Sequence, residues 1–353
     1  MLENITDIIT GMLIYGGVEN ADVMFNFCND YIESTSQLRF LFPIPLISPF
    51  WKNLKNISSF FLEANGVSSS YLFPDPGVSV GQGIIVEDVV LLVYGGLNLY
   101  STALMSSAWI RSLWPQANAI WMKFDANNPI PSFSFSSVAV FKNISLIFGG
   151  QYLSFTNYSR LWKFDMSLNT FTEIPSNHKG SAPTSRWGSA VAAIQRATNS
   201  KMLVFGGSYL SYNPQGALTN DTWLLDVSSL HRAMPMANWT KLNISIAPVA
   251  RCLAAAVYQS SENGKGNSSV VYLHGGCNSS KVARTNVCDA RHILNDMWMF
   301  NLSSETWEEI STNNSPHLYA HSVAFAVFNN SGALIFYGAA PSDTNSSVFV
   351  FYL

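Results

Sequence analysis

The sequence is poor in charge, because Asp, Glu, Lys and Arg together make up only 12% of its 353 residues. The formal net charge of -3 gives no basic field to attract nucleic acid or anionic lipid. Long apolar runs are also missing. The most apolar segment, LRFLFPIPLISPFW at 38–51, is too short to span a membrane and contains three prolines. Hydrophobic residues still form 48% of the chain, which excludes a disordered polymer.

Signals for targeting and for chemistry are equally scarce. The first residues, MLENITDIIT, have neither a basic region nor an apolar core, so they do not resemble a signal peptide. The sequence has no Cys-x-x-Cys motif, and its Cys and His residues lack the spacing of a zinc site. Paired carboxylates and nucleophile motifs do not stand out either. We therefore expect no metal, no cofactor and no catalytic residues.

Glycosylation sequons, by contrast, are dense. The sequence contains thirteen Asn-x-Ser/Thr motifs without a central proline, where independent placement predicts about five. This excess favours secretion over an Asn-rich cytosolic scaffold, and the missing signal peptide then predicts further chain upstream. The candidate glycosylation sites are Asn4, Asn56, Asn143, Asn157, Asn220, Asn238, Asn243, Asn267, Asn278, Asn301, Asn313, Asn329 and Asn345.

Four cysteines agree with an oxidising compartment. Cys277 and Cys288 are close enough in sequence to close a small loop, so we predict a disulfide between them. Cys28 and Cys252 remain, and the sequence leaves open whether they pair.

A repeated motif organises the chain. Apolar strand residues run into a glycine pair in MLIYGG, LLVYGG, LIFGG, MLVFGG and VYLHGG, and into Gly-Ala in LIFYGA. An aromatic strand follows, as in Asn220–Trp223, and then an outer strand built on one aromatic residue such as Trp239 or Trp307. A run of small residues precedes the apolar strand and forms the first strand of each unit. Its marker is Pro-x-x-Arg at 183–186 and 248–251, and Pro-x-x-Tyr at 316–319. Each unit therefore predicts four antiparallel strands.

Four-stranded units that cannot bury both faces alone must stack, and radial stacking produces a propeller. The Trp or Phe that follows each glycine pair would fill the wedge between one sheet and the next. We predict a single all-β domain over 1–353, with blades at approximately 1–65, 76–130, 131–178, 183–245, 248–312 and 316–353. Trp51–Leu54 is interpreted as the outer strand of the first blade.

Two edges of this predicted ring are expected to be incomplete. Ile120–Asp125 is interpreted as the aromatic third strand of the second blade, and no outer strand follows it. The sixth blade ends at Leu353 without a fourth strand, so its closing strand is expected upstream of the chain.

The double glycine, the Asn-Asp-x-Trp motif and the outer-strand aromatic resemble kelch repeats along nearly the whole chain. The resemblance implies a six-bladed kelch β-propeller of four-stranded antiparallel blades. Among kelch proteins, this weakly charged chain with many sequons is most similar to the extracellular propellers of attractin-type multi-domain proteins. That likeness implies one module of a larger chain that binds a protein or a glycan. Because the sequence has no catalytic constellation, no spanning segment and no basic field, we expect no catalysis, no membrane insertion and no nucleic-acid binding. The alternative is a secreted propeller enzyme, of the galactose-oxidase or epimerase kind, with a site at the central mouth.

In kelch propellers the connections after the glycine pairs share one face with the links between blades, and that face binds ligands. Aromatic residues and arginine are typical of recognition surfaces, so the candidate contacts are Arg186, Trp187, Arg251, Tyr319, His317, Tyr209 and Tyr212. Arg186, Arg251 and Tyr319 are interpreted as equivalent positions on successive blades. It stays equally open that arginine there only anchors loops through hydrogen bonds. His274 is expected to pack within its strand, whereas His317 and His321 either line the mouth or are polar residues at a strand start.

Overall fold

The computed structural model describes most of the chain from the second blade onwards and short segments before it. The described residues are 12–15, 38–41, 52–53, 61–63, 78–79, 82–86, 90–95, 97–98, 106–112, 122–124, 126–128, 131, 136–141, 144–150, 160–176, 182–196, 199–209, 217–231, 235–260, 269–279, 288–328, 331–338 and 347–353.

The described residues form antiparallel sheets, with short 3-10 helices at Val227–His231 and Ala290–His292. We number the sheets as blades 1 to 6. Blade 1 has the strands Met12–Tyr15, Leu38–Leu41 and Phe61–Glu63; blade 2 has Gln82–Val86, Val90–Tyr94, Ala108–Ser112 and Met122–Phe124; blade 3 has Ser137–Phe141, Ile144–Phe148, Leu161–Asp165 and Thr170–Ile174. Blade 4 has Ala190–Ile194, Lys201–Phe205, Thr222–Asp226 and Asn238–Lys241; blade 5 has Ala255–Gln259, Val270–His274, Met297–Asn301 and Thr306–Ile310; blade 6 has Ser322–Phe328, Ser331–Gly338, Ser347–Tyr352 and Lys52–Asn53.

Two short ladders add to the blades. One pairs Val78–Ser79 with Leu97–Asn98, and the other pairs Ser208–Tyr209 with Ala217–Leu218. None of the described helices has the length and apolar character that crossing a bilayer would require.

Successive blades pack face to face, and their inner strands lie side by side from blade 2 to blade 6. The second strand of blade 4 shows why. Its side chains alternate, so Met202 and Val204 pack against blade 3, while Leu203 and Phe205 pack against blade 5. A sheet that is apolar on both faces needs a neighbour on each side, and this arrangement confirms the predicted β-propeller of four-stranded antiparallel blades.

Outer-strand aromatics fill the wedges between blades, as predicted. The Trp307 ring of blade 5 lies 5.2 Å from the Phe205 ring of blade 4, centroid to centroid. Its Nε1 also donates a hydrogen bond of 3.0 Å to Thr222 Oγ1, again in blade 4. The same kind of ring contact joins Trp239 to Phe148 and Phe171 to Tyr94.

The second blade has the outer strand that the sequence prediction left out. Its third strand is Ala108–Ser112, which pairs with Val90–Tyr94. Met122–Phe124 lies outside that strand as the fourth. The assignment of Ile120–Asp125 to the third strand was therefore wrong. AWIRS and WMKF are both short runs of mainly apolar residues that contain a tryptophan, and residue type alone does not show which of two such runs is the third strand.

The sixth blade also has a fourth strand, contrary to expectation. Lys52–Asn53 pairs with Val350 and Phe349 at its edge. The segment interpreted as the outer strand of the first blade thus joins the sixth blade, and blade 1 has three described strands. The edge strand expected to lie upstream of the chain comes from within it.

Candidate functional site

The second glycine of each pair joins one blade to the next through its backbone. In blades 3, 4 and 5 its N–H donates a hydrogen bond of 2.8–3.0 Å to the next blade, from Gly150 to Arg186 O, Gly207 to Arg251 O and Gly276 to Leu318 O. Leu318, not Tyr319, is therefore the structural equivalent of the two arginines. The predicted equivalence of Tyr319 was wrong by one residue, because Ser315 takes the place of Pro248 and Pro316 follows one position later.

We call the face that carries these bonds the loop-rich face. It is formed by the described residues 182–189, 217–221, 243–254, 288–296 and 311–321. These are the inter-blade links and the segments that lead into the third strands. Two more backbone hydrogen bonds join neighbouring links: Leu253 N–H donates to Gly188 O at 2.6 Å, and Ala320 N–H donates to Leu253 O at 2.8 Å. The face is thus held by hydrogen bonds that run from blade to blade.

Arg186 is buried beneath this face, with 2% of its surface exposed. Its guanidinium forms a bidentate pair with Asp221, at 2.6 Å from Nη1 to Oδ1 and 3.1 Å from Nη2 to Oδ2. The remaining donors bind Thr184, Gly206 and Thr219. Asp221 also accepts a 2.7 Å bond from Trp223 Nε1. Burial alone would raise the pKa of the Asp221 carboxyl, but the bonds and charge from Arg186 hold it below its ordinary value.

Arg251 repeats the arrangement in blade 5. It is 1% exposed, and its Nη1 and Nη2 each lie 2.6 Å from an oxygen of Asp296. It also donates to Gly275 O at 2.9 Å and Val249 O at 3.0 Å. We call these two ion pairs the arginine–aspartate clasps. Of the two roles left open by the sequence, the contacts support anchoring, because both guanidinium groups already bind a carboxylate.

The two aspartates that complete the clasps were not among the predicted site residues. Both stand in the quoted Asn-Asp motif, at Asn220–Asp221 and Asn295–Asp296. The sequence does contain a signal for them, because Asp stands two residues before both Trp223 and Trp298. Matching this recurring Asp with the recurring arginine would have predicted the clasps.

The other predicted contacts are only partly gathered on one surface. Trp187 is buried and pairs with Ser208 through two backbone bonds of 2.9 Å. Tyr319 is half-buried against the same apolar cluster as Trp187, and Tyr209 is half-buried in its short ladder. His317 is exposed, with Nδ1 2.7 Å from Ile293 O. Tyr212 lies outside the described residues. Ligand binding by these seven residues stays a prediction.

A buried histidine pair joins blades 5 and 6. His274 Nδ1 lies 3.1 Å from His321 Nε2, and His274 Nε2 lies 3.0 Å from Ser315 Oγ. His274 is thus packed in its strand, as expected. His321 is buried too, so it does not line an open mouth. Burial lowers the pKa of His321 to about 3. Burial, and the nearby charges of His321, Arg251 and His317, lower the pKa of His274 well below its ordinary value.

This pair should make the protein sensitive to acid. An unfolded histidine takes up a proton near pH 6.5, but these two stay neutral in the fold, so stability falls as the pH drops below about 6.5. Each group contributes a slope of up to about 1.4 kcal/mol per pH unit. We expect His321→Ser, which copies Ser189 of blade 4, to reduce the stability lost between pH 7 and pH 5 by about 2 kcal/mol, measured by urea unfolding.

Ser315→Ala is the matched control for that experiment. It removes a hydrogen bond to His274 without removing a titrating group. It should therefore lower stability at both pH values by a similar amount and leave the pH dependence as steep as in the parent protein. Equal steepness in His321→Ser and the parent would contradict the prediction.

The predicted disulfide is present on the loop-rich face. Cys277 and Cys288 are bonded, with 5.8 Å between their Cα atoms. Cys252 is a buried free thiol, and Cys28 lies outside the described residues. Across the described part of the chain, no three His, Cys, Asp or Glu side chains are grouped as a metal site would require.

Comparison with known proteins gives a relative and a family. A stretch of 130 residues, 37% of this chain, is 29% identical to the dynein alpha chain of the flagellar outer arm of Chlamydomonas reinhardtii. The match spans about 2% of that protein's length. Residues 81–339 match the KLHDC2/KLHL20/DRC7 Kelch-repeats domain, which takes in blades 2 to 5 and the first two strands of blade 6. Since this covers most of the sequence, the chain belongs to that kelch-repeat family.

Proposed function

We propose that the chain is an interaction module that docks a protein partner on its loop-rich face and performs no catalysis. Kelch-repeat domains of this family generally serve protein interaction. The supporting observation is the link from blade 4 to blade 5. There Ile246 and Val249 are 68% and 53% exposed, while Val249 O is held by Arg251 beneath it. Aliphatic side chains on an anchored link lose little entropy when a partner covers them.

The sequence reasoning emphasised arginines and aromatics and did not select these two aliphatic residues. Arg186, Arg251 and Trp187 are buried, whereas Ile246 and Val249 are exposed. Tyr209, Tyr319 and His317 are the predicted contact residues that keep some exposure. The contacts made by the link from blade 4 to blade 5 should therefore be mainly apolar, while Asp289 and Arg291 are charged residues that are also exposed on this face.

The test is a comparison of three purified forms of the 353-residue chain as baits: the parent, the double variant Ile246→Asp with Val249→Asp, and Leu168→Asp. Leu168 is 62% exposed in the turn after the third strand of blade 3, away from the loop-rich face, so it is a matched control. We expect a bound protein to be retained by Leu168→Asp and reduced at least about tenfold in the double variant. Equal retention by all three chains, with unchanged melting temperatures, would refute docking at this face.

We propose further that the module is extracellular or at the cell surface, as in the attractin-type propellers it resembles. The thirteen sequons and the Cys277–Cys288 disulfide support this. Among the sequon asparagines that the structure describes, Asn220, Asn238, Asn243, Asn278 and Asn313 are exposed. Asn301 is half-buried, and its Oδ1 accepts bonds from Ser303 and Ser304 N–H.

Expression behind a secretory leader in a eukaryotic host tests this setting. We expect an enzyme that removes N-linked glycans to lower the mass, and peptide mapping to place glycans on the five exposed asparagines more fully than on Asn301. Asn301→Gln should therefore shift the mass less than Asn243→Gln. A secreted, folded chain without any N-glycan would contradict the extracellular proposal.

A further inference from the structure

Three cysteines meet in one apolar cluster on the loop-rich face. Cys252, Cys277 and Cys288 are all buried there, beside Trp187 and Ile293. Two of them form the disulfide, and Cys252 keeps its thiol. A thiolate next to a disulfide can exchange with it, so the position of the third cysteine decides whether the cross-link is fixed.

The backbone places Cys252 directly opposite Cys277. Cys252 N–H donates to Cys277 O at 3.0 Å, and Cys277 N–H donates to Cys252 O at 2.8 Å. This exchange of two bonds defines a hydrogen-bonded antiparallel pair, in which the Cα atoms lie about 5.5 Å apart and both side chains share one face. Disulfides form at Cα separations of about 4.4–6.8 Å. Cys277 therefore stands between two cysteines, each within bonding reach.

We propose that Cys252 is an exchange thiol that moves the cross-link from Cys277–Cys288 to Cys252–Cys277. The Cys252 thiolate attacks the Sγ atom of Cys277, and the bond between Cys277 and Cys288 breaks. Cys288 leaves as a thiolate and takes up the proton that Cys252 released. One disulfide and one thiol are present before and after the step, so no oxidant or reductant is consumed.

The two isomers hold different parts of blade 5. In the Cys277–Cys288 isomer, the residue just after the second strand is bonded to Cys288, eleven residues further along the chain. In the Cys252–Cys277 isomer, it is bonded to Cys252, just before the first strand, and Cys288 is a free thiol. Burial raises the pKa of Cys252 to about 12, which keeps exchange slow at neutral pH. Any effect of the switch on partner docking rests on the proposed function, whereas the exchange itself does not.

The test is disulfide mapping of the 353-residue chain with Cys28→Ser, so that three of its four cysteines remain. The native protein is incubated without reductant at neutral pH or at about pH 9, quenched with acid, denatured and labelled with N-ethylmaleimide. At the start we expect label on Cys252 alone. After incubation at the higher pH we expect label on Cys288, at least about tenfold above the neutral sample. Label that stays on Cys252 throughout would overturn the proposal.

Two further variants test whether Cys252 itself is the thiol that attacks the disulfide. With Cys252→Ser added, no thiol remains and Cys288 should stay unlabelled at both pH values; label there would overturn the proposal. With Cys288→Ser instead, mild oxidation by glutathione disulfide should join Cys252 to Cys277. A variant that keeps both thiols, or carries glutathione on Cys277, would count against it. Because these readouts are bond maps, they are independent of whether the loop-rich face binds a partner.

Discussion

Replacing Asp296 by alanine should lower the free energy of unfolding by about 3 kcal/mol. The substitution leaves the Arg251 guanidinium buried without its carboxylate, and it removes the acceptor of the 2.7 Å bond from Trp298 Nε1. Breaking one partner of a buried ion pair usually costs about 3–5 kcal/mol. We take the lower end because the Asp296 side chain is 21% exposed, which lets water screen part of the charge. Urea unfolding followed by tryptophan fluorescence measures the effect.

The comparison variant is Glu173→Ala. Its pair with Arg160 is longer, 3.6 Å, and its side chain is 43% exposed. A surface pair of this kind contributes less than about 1 kcal/mol. A second comparison replaces both partners of the clasp, Arg251→Met with Asp296→Leu. This should cost less than Asp296→Ala alone, since no charge is then left buried. If Asp296→Ala costs no more than Glu173→Ala, the clasps do not stabilise the fold as inferred.

The clasps also show what the sequence could and could not predict. The repeat, the radial stacking and the wedge aromatics follow from local patterns, because a strand that is apolar on both faces leaves few other arrangements. The role of Arg186 and Arg251 depends on a partner 35 and 45 residues away. Spacing within one unit does not show that contact, so the sequence left binding and anchoring equally open.

The errors came from positions where two local patterns compete. Ala108–Ser112 and Met122–Phe124 are both short runs that mix aromatic and aliphatic residues, and only pairing across the sheet assigns their order. Pro316 matches the spacing of Pro183 and Pro248, yet the backbone bond from Gly276 goes to Leu318. The fourth strand of blade 6 lies nearly 300 residues from its neighbour in the chain, and edge pairing over that distance leaves no local signal.

Gly206→Ala should be nearly as damaging as the loss of a clasp, with an expected cost of about 3 kcal/mol. Gly206 has φ +65°, which costs an L-residue about 1–2 kcal/mol. A Cβ atom there would also lie 2.6 Å from Arg251 O and 3.2 Å from Thr219 O. Both are backbone atoms at the junction of blades 4 and 5, so neither can move aside without separating the blades.

Gly332→Ala is the matched control, because this glycine lies inside a strand of blade 6 and its φ is outside the left-handed region. The nearest atom to its added Cβ, at 3.0 Å, belongs to the Phe325 ring, a side chain that can shift. We expect a change below about 1 kcal/mol there. Hydrogen exchange should locate the effect at the junction of the two blades. Gly206→Ala should weaken the protection of Gly207 N–H, which donates to Arg251 O across the blades. Unchanged protection at Gly207 would mean that the blade junction absorbs the extra atom, and that the paired glycines are not what holds adjacent blades together.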